Sequence, residues 1–266
     1  MYLDVVDLRA FYAERLGAIA RRLIVEKLRR RWPSVAGERV LGIGYATPYL
    51  GDFEGAERLL AFMPAVQGVV NWPSDGPNAA ALVADDSLPL SDASIDRVLV
   101  IHSLEVSESA RDQLREIRRV LAPGGRVILV VPNRRGIWAR VERTPFGFGR
   151  PFTRGQLTAL LREAMFSPLD WSEALALPPF GRRLWLRTGA TWEKLGVTLW
   201  PAFAGVIIVE ATKQHYQGVP ARARARLKPA FSPALAQPGA GALGRVPISR
   251  PRFQTAFAGE TPVTKL

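Results

Sequence analysis

From Leu8 to Leu28 apolar residues recur every three or four positions: Leu8, Phe11, Tyr12, Leu16, Ile19, Leu23, Ile24 and Leu28. This spacing predicts one amphipathic helix. Arg21, Arg22, Lys27, Arg29, Arg30 and Arg31 crowd its second half, where cations suit the helix dipole, and Pro33 ends it. Such a helix could lie on a membrane surface. A helix packed on a domain also needs one apolar stripe, and that reading is preferred here.

The pattern then alternates. Arg39–Ile43 reads as a short strand and Pro48–Leu60 has helical spacing, with Arg58–Met63 turning into a second strand. Ala81–Ala84 is a short apolar run. Ile95–Ile101 is a strong strand, and Ser109–Leu121 a helix with Leu114, Ile117, Val120 and Leu121 inward. Ala122–Gly125 reads as a turn, Val127–Val131 as a further strand, Trp192–Leu195 as helical and Val206–Val209 as a last strand. Strands that are apolar on both faces, separated by helices, predict an α/β fold whose mostly parallel sheet is covered on both sides. The expected organisation is a helical cap over 1–34, one domain over 35–213 and a tail over 214–266.

Composition changes this picture in three ways. The chain of 266 residues has no cysteine and two histidines, His102 and His215, so disulfides, thiolate nucleophiles and histidine-rich metal sites are excluded. The net charge is +12. From Val219 onward eight basic side chains face a single acid, Glu260, among seven prolines. That segment reads as a disordered basic tail, suited to weak attraction to nucleic acid or a membrane surface. No apolar run approaches the roughly 20 residues that span a bilayer. The first residues lack a basic start followed by an apolar stretch, so a cytoplasmic protein is expected.

Candidate chemistry begins at Val40–Leu50, VLGIGYATPYL. It follows a strand and opens a helix, where backbone N–H groups can receive a polar ligand. Thr47 suits the N-cap, Pro48 the first helical position, and Gly44 a sharp turn or a close approach. Glycines in such turns are also common for local reasons. Asp85 and Asp86 end the third strand, as ligand contacts or as a turn cap. His102 and Glu105 follow the fourth strand, and His102 is the one weak candidate for a proton acceptor.

Taken together, the acidic strand end before Leu88-Pro89, the Ser94-Ile95-Asp96-Arg97-Val98 strand start and the helix end Arg119-Val120-Leu121-Ala122-Pro123-Gly124-Gly125 resemble a class I S-adenosylmethionine-dependent methyltransferase of the type 11 kind. The resemblance covers Arg39 to Asn133 and extends more loosely to Lys213. It implies a Rossmann-like, doubly wound, seven-stranded sheet, with S-adenosyl-L-methionine held at the carboxyl ends of the strands. It also implies a cofactor site at Gly42, Gly44, Tyr45, Ala46, Asp85, Asp86 and His102. The chain departs from the family pattern here. Gly42 stands where the first-strand acid belongs, Ala46 and Pro48 replace two glycines, and no Asp or Glu lies between Arg58 and Ser74. Gln67 and Asn71 are weak substitutes for the missing acid.

After the fifth strand comes a substrate loop, with Asn133, Arg134, Arg135 and Trp138 as candidates. It interleaves arginines, which bind carboxylate or phosphate, with aromatic rings. The leading function is methyl transfer to a small molecule. A binding or regulatory protein that has lost catalysis, and an RNA or protein methyltransferase, remain alternatives.

Overall fold

The computed structural model describes residues 4–176, 179 and 204–214. The helical stretch Trp192–Leu195 and the tail from residue 215 onward lie outside them. Among the described residues, seven strands form one sheet: β1 (Arg39–Gly44), β2 (Arg58–Pro64), β3 (Ala80–Val83), β4 (Ile95–Ile101), β5 (Leu121–Pro132), β6 (Phe166–Ala174) and β7 (Val206–Lys213). Their order is β3-β2-β1-β4-β5-β7-β6. The first five run parallel, and β7 is antiparallel to both β5 and β6. This is the Rossmann-like, doubly wound, seven-stranded sheet that the resemblance implies. The chain order reverses direction between β1 and β4, which is where such sheets bind ligands, beyond the strands' carboxyl ends.

Two apolar clusters cover the two faces. On one, α2 (Arg15–Arg31) and the single turn α3 (Thr47–Leu50) pack through Leu23, Ile24, Leu28, Tyr49 and Leu50 onto Leu99, Ile128 and Val130. On the other, α4 (Ala110–Val120) and α5 (Arg154–Glu163) pack through Leu114, Ile117, Leu157 and Leu161 onto Val98, Val100 and Leu129. Ser109 caps α4 and Thr153 closes a capping box with Gln156 on α5. Trp32 anchors the end of α2 by donating from Nε1 to buried Glu210 at 3.0 Å.

Four local expectations are corrected. The first helix is two, because Glu14 is extended between α1 (Val5–Ala13) and α2. The apolar period ran on through a joint that costs no apolar position, so it hid the break. Gly17 permits the tight corner, since a Cβ there would lie 2.0 Å from the Phe11 carbonyl oxygen. The helix expected over Pro48–Leu60 is only α3, and its N-cap is Ala46 rather than Thr47. Ala122–Gly125 lies within β5, where the pairing with β4 shifts register between Ile95 and Arg97.

Candidate functional site

The loops at the carboxyl ends of β1, β2 and β4 meet beneath α1. Val5 and Leu8 of α1 pack on Tyr45 and Met63, and the Val5 backbone donates to the Gln67 carbonyl at 2.8 Å. Met63 thus stands near the end of β2, with α1 laid over the stretch where the acid implied by the resemblance is missing. At the centre the Tyr12 hydroxyl lies 2.8 Å from the Tyr49 hydroxyl and 2.6 Å from His102 Nε2. Tyr12 also stacks on Tyr45 at 5.8 Å. Burial raises the Tyr12 hydroxyl well above its ordinary pKa, with neighbouring Tyr49 and the Glu105 carboxylate adding to the shift. It therefore stays protonated and can donate.

His102 is 1% exposed and has φ 54°. That left-handed backbone is uncommon outside glycine. Two contacts hold it: Gln67 Nε2 donates to the His102 carbonyl, and Gly44 packs against the end of β4. On its far side, His102 Nδ1 lies 3.5 Å from the Glu105 carboxylate, which is also buried. A carboxylate beside Nδ1 favours the proton there, which leaves Nε2 to accept from Tyr12. Gln67 Oε1, Glu105 Oε2 and His102 Nδ1 make no hydrogen bond. A buried acceptor without a partner costs on the order of 1–3 kcal/mol. Each such group needs an explanation, and a bound ligand's donors would be one.

The sequence-predicted residues divide between this cluster and the packing. His102 and Tyr45 belong to the cluster. Gly42 lies within β1, and a Cβ there would sit 2.6 Å from that of Ala46 and 2.9 Å from Leu50. Gly44, at φ 81°, would drive a Cβ to 2.2 Å from the Ile101 carbonyl. Both glycines therefore serve the close approach of chain to chain, and Ala46 is fully buried in the core beside α3. Asp85 is half-buried and Asp86 exposed, in the turn that Ala84 and Ser87 close after β3.

Of the loop candidates, Asn133 is buried and donates to the Ala204 carbonyl at 2.9 Å, while its Oδ1 accepts from the Arg135 backbone. Trp138 is buried against Phe146. These two hold the loop in shape, and Arg134 and Arg135 are exposed. Sequence reasoning missed Tyr12 and Tyr49, because a tyrosine on an apolar stripe reads as core. Its polar tip, facing a lone histidine, was the available signal.

Residues 42–129 match the family model described as "Methyltransferase domain". Over this stretch, about a third of the chain, the sequence is similar to that family. The match spans β1 to β5 and contains Gly44, Gln67, His102 and Glu105. Solved structures agree on the fold. One chain of the complex between the Haloferax volcanii Trm112 methyltransferase activator and its methyltransferase superposes with TM-score 0.55 at 17% identity, covering 81% of this chain and 100% of that one. An S-adenosylmethionine-dependent methyltransferase of Thermotoga maritima gives 0.53 at 16%, covering 79% and 96%. The [4+2]-cyclase SpnF gives 0.50 at 20%, covering 73% and 81%. No curated protein matches the chain.

The cofactor of a methyltransferase domain of this kind is S-adenosyl-L-methionine. It brings hydrogen-bond donors, in its ammonium group, ribose hydroxyls and adenine amine, and a sulfonium cation. The orphaned acceptors Gln67 Oε1 and Glu105 Oε2 are the partners such donors need. The donor set therefore fits, with Glu105 in place of a carboxylate on β1 or β2.

Proposed function

We propose that the chain transfers a methyl group from S-adenosyl-L-methionine to a small-molecule acceptor, within one domain over 35–213 that residues 1–34 cap. The observation that carries this reading is the buried Tyr12–His102–Glu105 array at the ligand-binding end of a methyltransferase domain. When bound, the cofactor supplies an electrophilic methyl on a sulfonium. Glu105 and Gln67 accept its donors. His102 takes the acceptor's proton at Nε2, and the Glu105 carboxylate beside Nδ1 stabilises the imidazolium that forms. Because α1 covers the array and its Tyr12 occupies His102 Nε2, α1 must lift to admit ligand, which also frees Nε2 for the acceptor's proton.

Calorimetric titration of the full chain with S-adenosylhomocysteine tests this. Binding that weakens about tenfold or more in Glu105→Gln supports the assignment, since a hydrogen bond to a charged group contributes about 1.5–3 kcal/mol. The missing acids on β1 and β2 favour a second reading, a non-catalytic binding protein on this fold. Absence of binding at millimolar ligand would favour it. Methyl transfer lost in His102→Gln, with cofactor affinity kept, separates the base from the binding residues.

A further inference from the structure

A pocket opens on the α4–α5 side, away from α1. It is a groove of about 380 Å³ with Leu104, Phe152 and Leu160 among its apolar walls. Volumes of 300–1,000 Å³ are usual for small-molecule sites. Arg134 and Arg150 stand at its rim. They come together because the long loop after β5 is closed at its neck: the Arg134 backbone donates to the Phe152 carbonyl at 2.9 Å, and the Phe152 backbone to that of Pro132 at 2.9 Å. Arg134 Nε donates to the Pro151 carbonyl at 3.2 Å, which leaves its two Nη groups unused among the described residues. The Arg150 guanidinium has no acidic partner there. Glu163, the one carboxylate in the wall, is taken by Arg111 at 2.5 Å.

Deeper in, Ser107 is 6% exposed, and its hydroxyl lines the groove without a hydrogen-bond partner. A buried hydroxyl left unpaired costs free energy unless something fills that role. The groove thus offers an apolar floor, two guanidinium groups at one rim without an acidic partner among the described residues, and a buried hydroxyl.

We propose that this groove binds an amphipathic anion, a carboxylate or phosphate monoester on an alkyl chain, with the anion on Arg134 and Arg150 and the chain along Leu104, Phe152 and Leu160. Guanidinium forks pair with either anion in bidentate fashion. The site is separate from the cluster under α1 and needs no cofactor.

The probes are octanoate, octyl phosphate and the neutral octanamide, each titrated into the full chain by calorimetry. The first two distinguish the anion sources, and either one binding supports the site. Octanamide binding at least tenfold more weakly than octanoate is expected. Arg150→Ala and Arg134→Ala should each weaken binding of the anion about tenfold, because each removes a charge-assisted pair. Ser107→Ala should weaken it a few-fold. Both arginines are exposed, so their variants should keep the parent melting temperature. Equal affinity for octanamide and octanoate, unchanged binding in Arg150→Ala, or no binding of either anion at millimolar concentration overturns the proposal.

Discussion

Replacing Tyr12 by Phe keeps the ring that stacks on Tyr45 and removes one oxygen. That oxygen is the shared partner of the Tyr49 hydroxyl at 2.8 Å and of His102 Nε2 at 2.6 Å. Both partners are buried, so each then lacks a hydrogen bond only while α1 is docked. With α1 lifted, water reaches both. The penalty therefore falls on the docked state alone. Taking the low end of about 1 kcal/mol per orphaned group gives about 2 kcal/mol, or roughly a 30-fold rise in the frequency of opening. Amide exchange reads this directly. The amides of Leu8–Ala13 should exchange about 30-fold faster, while those of Val98–Ile101 in β4 hold their rate. If opening precedes ligand capture, affinity for S-adenosylhomocysteine should tighten by up to the same factor. Unchanged exchange in α1, or an equal acceleration in β4, refutes the argument that Tyr12 latches the helix.

Gly44→Ala meets both a φ of 81° and a carbonyl oxygen at 2.2 Å, and should cost about 3 kcal/mol or more in urea unfolding. Gly37→Ala, with φ 72° and nothing within 4 Å, should cost only about 1–2 kcal/mol; equal losses would mean that the contact is irrelevant. Asp96 accepts from the Arg39 backbone and Nε at 2.9 Å and from Nη2 at 3.1 Å, and this pairing lowers its pKa. A lowered folded-state pKa gives stability that is present above the unfolded value near 3.9 and fades as pH falls through the folded one. The stability gap between parent and Asp96→Asn should thus be widest near pH 7 and shrink below about pH 4; a gap independent of pH counts against the ion pair. Deleting residues 219–266 removes eight basic groups and one acid, and should weaken low-salt retention on anionic vesicles, with the difference vanishing as salt rises. Equal retention would place the attraction on the remaining chain.

The sheet was largely legible because its central strands carry unbroken apolar runs. Ile95–Ile101 was read to the residue, and β1, β3, β5 and β7 to within a few positions apart from the early start of β5 at Leu121. The similarity to methyltransferase domains was legible from the order of Asp96-Arg97-Val98 and Ala122-Pro123-Gly124-Gly125. The site was legible only in part. Gly42 and Gly44 stand at motif positions, yet their space is taken by Ala46, Leu50 and the end of β4, which spacing cannot reveal. Asn133 and Trp138 sit in the right loop but face the core. Tyr12 reaches His102 across 90 residues of sequence, and no local pattern encodes that contact.

The same separation governs how the molecule assembles. A nine-residue helix is too short to hold itself together in water, so α1 gains its structure from the surface it covers. That surface includes His102, which is made 90 residues after Tyr12. At about 5–20 residues per second, roughly 5–18 s of synthesis separate the two. Throughout that interval Val5, Leu8 and Phe11 have no docking surface, while the strands that supply it are still being made. The residues of α1 are thus made well before their place exists, and the array is covered as a late step of folding.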